Sequence, residues 1–123
     1  MKVLFVEDDP MNRRVVKAML EVAGAPMDEA ESGAIGLEMV DKQAYDLILM
    51  DLRMPEMDGI TAIQKIRARC DDKGRAPIVV VTADTAPDLR AACLAAGAND
   101  FMTKPVAMNA LFDVIAKIMV GDS

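Results

Sequence analysis

The sequence predicts an α/β domain in which a five-stranded parallel sheet lies between layers of helices. Three observations carry this. The apolar runs Val3-Leu4-Phe5-Val6, Leu47-Ile48-Leu49-Met50 and Ile78-Val79-Val80-Val81 each end at an acid or a hydroxyl, the pattern of strands buried on both faces. Between them, apolar residues recur three or four apart, which is the helical period. Strand and helix alternate with short connections, and that alternation implies parallel strands joined by right-handed crossovers. With 123 residues, 53% of them hydrophobic and 28% charged, the chain suits a single domain, 1–123, with its own core.

The elements follow in order. Val3 to Val6 is the first strand, ending in Glu7, Asp8 and Asp9, and Pro10 starts a helix. Met11, Val15, Ala18, Met19 and Val22 form its expected stripe, and Gly24 stops it. Residues 27–30 make a weaker strand, and Pro26 before them suits an edge, where a missing N–H breaks no ladder bond. Ser32 caps the second helix, with Ile35, Met39 and Val40 inward; Gly36 within it costs roughly 1 kcal/mol relative to Ala, so this flank is expected to be the less stable. The third strand runs from Asp46 to Asp51, and Met54-Pro55 and Asp58-Gly59 break the chain beyond it. Asp58 is placed to cap a helix carrying Ile60, Ile63, Ile66 and Cys70 on one side. A polar turn at residues 71–74 leads to the fourth strand, residues 77–82, the most β-branched run in the chain. Thr85 and Asp88 bracket a helix start as a capping box, with Leu89, Ala92, Cys93 and Ala96 inward before Gly97. Residues 99–102 form a short fifth strand before Thr103-Lys104-Pro105, and a last helix presents Met108, Leu111, Ile115 and Ile118. With strand two at an edge, the order 2-1-3-4-5 sets the carboxyl ends of strands one and three side by side, where open α/β sheets bind ligands.

Composition narrows the chemistry. The net charge of −6 disfavours direct nucleic-acid or membrane-surface binding, which require a basic face. No apolar run approaches the ~18 residues of a membrane span and no export leader is evident, so a cytoplasmic protein is expected. Histidine is absent, which removes imidazole bases, Ser-His-Asp triads and His-ligated zinc. Cys70 and Cys93 fall on expected helices at a spacing unlike a metal knuckle and read as reduced packing residues. What remains is carboxylates, hydroxyls, Lys104 and a metal. Asp8, Asp9 and Asp51 would repel one another in one concavity, and a divalent ion relieves that; an all-oxygen set suits Mg²⁺ with phosphate oxygens. Thr82 and Lys104 end the neighbouring strands and complete a phosphoryl receptacle, with Asp51 as nucleophile. Taken singly, Asp9 is a helix cap, Lys104 a solvated charge and Thr82 strand filler. The ordinary readings do not explain all of them arriving at one sheet edge.

The residues Asp8-Asp9 after strand one, the stretch Leu49-Met50-Asp51-Leu52-Arg53-Met54-Pro55-Glu56-Met57-Asp58-Gly59, Thr82-Ala83 and Phe101-Met102-Thr103-Lys104-Pro105 together resemble a response-regulator receiver domain of bacterial two-component signalling. The resemblance spans nearly the whole chain and implies a flavodoxin-like (CheY-like) three-layer sandwich. It implies that Asp51 accepts a phosphoryl group from a sensor histidine kinase or histidine phosphotransfer protein. Mg²⁺ would be held by Asp8, Asp9, Asp51 and the Arg53 main-chain carbonyl. A cis Lys104-Pro105 bond and a switch through Thr82 and Phe101, where Tyr is common, also follow from it. Arg53, Ala83 and Asp84 occupy positions that tune phosphoryl lifetime, and Arg53 and Asp84 are opposite charges able to pair across the site mouth. The implied output face comprises helix four, strand five and helix five, and helix four is rich in alanine. Such a protein is a switch rather than an enzyme.

Rival functions fit less well. A flavin carrier needs a hydroxyl- and glycine-rich phosphate loop after strand one, where this chain has Glu7-Asp8-Asp9-Pro10. An aspartyl-phosphate hydrolase of the haloacid dehalogenase type needs a second Asp two residues after its nucleophile, where Arg53 stands. Met1 directly before strand one favours a free-standing regulator over a receiver cut from a hybrid kinase or longer regulator.

Overall fold

Each apolar run is a strand because its β-branched and aliphatic side chains fit a pleated surface covered on both sides. The computed structural model describes residues 1–84 and 86–120. The strands are β1 (Val3–Val6), β2 (Met27–Ala30), β3 (Leu47–Asp51), β4 (Ile78–Thr82) and β5 (Asp100–Thr103). The helices are α1 (Pro10–Val22), α2 (Gly33–Lys42), α3 (Gly59–Arg67), α4 (Leu89–Ala96) and α5 (Met108–Met119), with a 3-10 turn at Asp72–Arg75. All ladders are parallel, in the order β2-β1-β3-β4-β5, as the sequence predicts. Every residue of β1, β3 and β4 is buried.

Alternation divides the core in two. Leu4, Val6, Ile48, Met50, Ile78 and Val80 pack with Val40 of α2, Ile63 and Ile66 of α3, and Cys93 of α4. Val3, Phe5, Leu47, Leu49, Val79 and Val81 pack with Val16 and Leu20 of α1 and Leu111, Val114 and Ile115 of α5. Each such side chain contributes about 1.5–3 kcal/mol by leaving water.

Several expected details shift. Most of the stripe expected on α1 faces outward, Met11, Val15 and Val22 being 60%, 49% and 70% exposed and Ala18 exposed, while Met19 is half-buried against the core as expected. Asn12, Val16 and Leu20, spaced by four, face inward instead, and Asn12 is tied to Glu7. The helix has two apolar stripes about one residue apart, and the polar tether at Asn12 selects the second. Cys70 lies beyond the end of α3 and is exposed, whereas Cys93 is buried as expected. Ala92 is exposed, while Leu89 and Ala96 pack beside Cys93. Ser32 and Asp58 do cap α2 and α3, accepting from Ile35 N–H at 3.2 Å and Thr61 N–H at 2.8 Å. Asp88 makes no side-chain cap bond, and Thr85, its expected partner in a capping box, lies outside the described residues. Strand β5 begins one residue later than expected.

Gly36 also has a reason. A Cβ there would sit 2.8 Å from Cγ2 of Val6, a buried β-branched side chain with little freedom to yield. Gly36→Ala is expected to cost about 1–3 kcal/mol through overpacking despite the better helix propensity of Ala. Val6→Ala should then destabilise the Gly36→Ala background less than the wild type; additive urea midpoints would refute this.

A second tether is polar. Arg67, half-buried and without a carboxylate partner among the described residues, donates to the carbonyls of Gly97, Gly74 and Ala76 at 2.9, 3.0 and 2.7 Å. It also donates to Asn99 Oδ1 at 2.8 Å, and the same oxygen accepts Ile78 N–H at 2.8 Å. Burial holds the guanidinium below its ordinary pKa, yet it stays charged at any physiological pH. Gly97, at φ 120°, ends α4 in a conformation that side chains rarely adopt.

Candidate functional site

Parallel register levels Val6 with Met50, so the next residues, Glu7 and Asp51, leave the sheet side by side. Strand β4 delivers Thr82 at its end, and Lys104 follows the last residue of β5, its N–H donating to the Thr82 carbonyl at 2.8 Å. Glu7, Asp51 and Thr82 are 0%, 3% and 1% exposed, the buried polar residues of the described chain. Lys104 Nζ lies 2.6 Å from Glu7 Oε1 and 3.3 Å from Asp51 Oδ1. Thr82 Oγ1 accepts Asp84 N–H at 3.1 Å, which fixes the hydroxyl's rotation at the start of the loop. The Lys104-Pro105 bond is cis. At the mouth, exposed Arg53 pairs with Asp84 and holds its carboxyl below the usual value. Ala83 is exposed beside them, and Phe101 is half-buried against the core cluster that contains Val80.

The acidic cluster differs from the one read off the sequence by one residue. Carboxylate oxygens of Glu7, Asp8 and Asp51 lie within 4.8 Å of one another. Asp9 is not in this group: it is the N-cap of α1, its Oδ1 accepting Met11 N–H at 2.9 Å. The physical reason is the Pro at the first helical position, which makes the preceding Asp the capping residue. Strand register then puts Glu7 level with Asp51. Sequence reasoning missed Glu7, whose signal was this register, and Asn12, whose amide donates to Glu7 Oε1 at 2.6 Å.

The buried carboxylates share their proton unequally. Burial, then the hydrogen bond and charge of Glu7, push the Asp51 carboxyl up to about 7 against the opposing pull of Lys104. Glu7 is also raised by burial, but hydrogen bonds with Asp51, Lys104 and Asn12 outweigh this and hold it below the ordinary glutamate value. The proton therefore rests on Asp51. Burial likewise opposes the charge of Lys104, and its two carboxylate neighbours overcome it.

This donor set fits a small divalent cation. Oε2 of Glu7 is buried without a hydrogen-bond partner, and an all-oxygen group of acids is what Mg²⁺ takes. A bound cation requires Asp51 ionised. Below about pH 7, Mg²⁺ binding should displace a proton and strengthen by up to tenfold per pH unit, levelling off above. Without Mg²⁺ the sign is opposite for the fold. Asp51 keeps a proton in the folded chain that the unfolded chain has lost, so stability falls as pH rises from about 4 to about 7. Calorimetric titrations and urea midpoints across that window check both; an Mg²⁺ affinity indifferent to pH would refute the assignment of the proton.

Comparison with known proteins decides the family. The model of the response regulator receiver domain matches residues 3–116. The chain belongs to the response regulator receiver family. This receiver is 41% identical to the two-component response regulator ORR41 of Oryza sativa subsp. japonica, over 98% of this chain and 95% of that protein. It is 36% identical to part of the sensor protein GacS of Pseudomonas syringae pv. syringae, covering 94% of the receiver and 13% of GacS. Among solved structures, the receiver domain of the sensor histidine kinase PA1611 from Pseudomonas aeruginosa PAO1 superposes with a TM-score of 0.87 at 36% identity, over 96% of each chain. That structure has a magnesium ion coordinated in its active-site cleft. The receiver thus matches nearly all of one relative and a small part of another, and a plant relative stands beside bacterial ones, so the family alone does not fix a bacterial origin. No helix among the described residues is long and apolar enough to cross a membrane.

Proposed function

We propose that the whole chain, 1–123, is one receiver that acts as a phosphorylation-controlled switch, with Asp51 as the phosphoryl acceptor. The observation that carries this is a buried strand-end carboxylate with an ammonium at 3.3 Å and two further acids beside it. A carboxylate oxygen of Asp51 attacks phosphorus as the N–P bond of a phosphohistidine breaks; the bonding pair stays on the imidazole nitrogen, which then takes a proton. Lys104 and the Thr82 hydroxyl bind the transferred phosphoryl oxygens. Glu7, Asp8, Asp51 and the Arg53 main-chain carbonyl would hold Mg²⁺, which supplies positive charge against the phosphoryl oxygens when bound.

The donor is a sensor histidine kinase or a histidine phosphotransfer protein in the cytoplasm. Engagement of Thr82 draws its loop inward and Phe101 follows, which alters the surface formed by α4, β5 and α5 for a protein partner. Exposed Ala91, Ala92 and Ala95 on α4 leave room there for a partner's helix. The chain does not turn over a separate substrate. A free-standing regulator and a receiver within a longer kinase share this chemistry, and relatives of both kinds match the chain.

The test is incubation with Mg²⁺ and acetyl phosphate, followed by intact mass measurement. The wild type should gain one phosphoryl group and Asp51→Asn none; equal gain, or none in either, overturns the reading. Following the decay in Arg53→Ala reads whether the pair with Asp84 controls access of water. An unchanged half-life removes that role.

A further inference from the structure

Glu7 is wholly buried, and its two oxygens are treated unequally. Oε1 receives two donors, Lys104 Nζ and Asn12 Nδ2, each at 2.6 Å, whereas Oε2 has none. Its main-chain carbonyl is pinned as well, accepting from Arg13 Nη1 at 2.7 Å. In the resting protein the second donor on Oε1 is redundant. It ceases to be so when Lys104 is required elsewhere. Lys104 Nζ is already 3.3 Å from Asp51 Oδ1, and a phosphoryl group on Asp51 would bring acceptor oxygens and a charge of about −2 to that position. Packing does not lock the lysine in place, because its stem and Asn12 border a cavity of about 110 Å³ with Val16, Val81 and Val106.

Once Lys104 turns toward the phosphoryl oxygens, Glu7 keeps its burial and loses its cation. A buried carboxylate with an unpaired oxygen is costly and would rotate to recover a donor. We propose that Asn12 is a positioning residue: it retains Oε1 of Glu7 when Lys104 moves to the phosphoryl group, so that Oε2 stays aimed at the cation. This rests on the reading of Asp51 as phosphoryl acceptor. The residue type suits the task. A lysine at position 12 would compete for the phosphoryl group and repel the cation, and an aspartate would add another acid to a site that already holds three. Placement is secured by the local sequence, since Asp9 caps α1, Pro10 opens it, and the third helical residue then faces Glu7.

The test compares Mg²⁺ affinity, by calorimetry, in the wild type, Asn12→Ala and the similarly sized Asn12→Leu. Each is measured alone and with beryllofluoride, which mimics the phosphoryl group; circular dichroism and urea midpoints confirm that each is folded. Alone, the variants should lose less than about threefold, because Lys104 still holds Oε1; with beryllofluoride they should lose about 10- to 100-fold, the range for removing a residue that orients a metal ligand. Equal loss in both states would make Asn12 a mere prop of the loop, and no loss in either would show that Oε1 needs no second donor; each overturns the inference. If beryllofluoride fails to raise Mg²⁺ affinity in the wild type itself, the phosphoryl-acceptor reading falls too, a result distinct from failure in the variants alone.

Discussion

Lys104→Met should destabilise the unphosphorylated protein by about 3–5 kcal/mol at neutral pH, the usual cost of removing one partner from a buried ion pair. The charge left behind is Glu7, at 0% exposure, with Asn12 as its remaining nitrogen donor on Oε1 beside the Asp51 carboxyl, itself raised to about 7. The effect has a pH signature. In the wild type Glu7 sits below its ordinary value, so its ion contributes stability above the unfolded glutamate value, and that contribution is lost as pH falls through the folded one. Without Lys104 burial prevails, the folded value moves above the unfolded one, and stability is lost as pH rises instead. The gap between variant and wild type should therefore widen from about pH 4 to neutrality. Urea unfolding at the two ends of that range reads it. A constant gap would contradict the account, as would failure of Glu7→Gln to restore stability at neutral pH in the variant.

Gly59→Ala carries the second large effect. A Cβ at this position would meet the carbonyl oxygen of Asp51 at 2.3 Å and Cα of Leu52 at 2.9 Å. Both are backbone atoms and cannot swing aside. The crowding arises because Gly59 N–H donates to the Leu52 carbonyl at 3.0 Å, drawing the start of α3 against the end of β3. Propensity alone would favour Ala by about 1 kcal/mol; overpacking should reverse this to a net loss of about 3 kcal/mol or more. The atom that must shift belongs to Asp51 itself. Phosphoryl gain from acetyl phosphate should therefore fall even at temperatures where the variant remains folded. A raised melting temperature, or full phosphoryl gain, would refute the steric reading.

Strands β1, β3 and β4 were legible because each is an apolar run with a clear stop, Glu7 after Val6, Asp51 after Met50 and Thr82 after Val81, while the sheet order was legible from Pro26, which marks β2 as an edge. Those stops also placed Asp51 and Thr82, since the last residue of a buried parallel strand must reach the same edge as its neighbours, and Lys104, just past the end of β5, arrives at that edge too. The rotation of α1 was not legible. Met11, Val15 and Val22 make as good a stripe as Val16 and Leu20, and periodicity cannot choose between two stripes on one helix. A polar contact at the head of the second stripe, between Asn12 and Glu7, goes with the choice and carries no mark in the periodicity. The same blindness moved the acidic pair by one residue. Asp8 and Asp9 look equivalent to Glu7 in a run of acids, and only the register of β1 against β3 and the cap on α1 separate them. Cys70 was misplaced for a simpler reason: α3 ends at Arg67, and its side chain had gone to another task.

That task bears on how freely the surrounding sequence can change. Arg67 binds the main-chain oxygens of Gly74, Ala76 and Gly97 together with one side chain, Asn99. Carbonyls are supplied by every residue type, so the identities of residues 74 and 76 do not matter to these bonds. Position 67 has no such latitude: a lysine offers a compact head that cannot span four acceptors as a planar guanidinium does. Two chain segments, residues 74–76 and 97–99, thus hang on one side chain; where their residue types are restricted the cause lies elsewhere, at Gly74 in the 2.8 Å approach of a Cβ to the Arg69 carbonyl and at Gly97 in its φ of 120°.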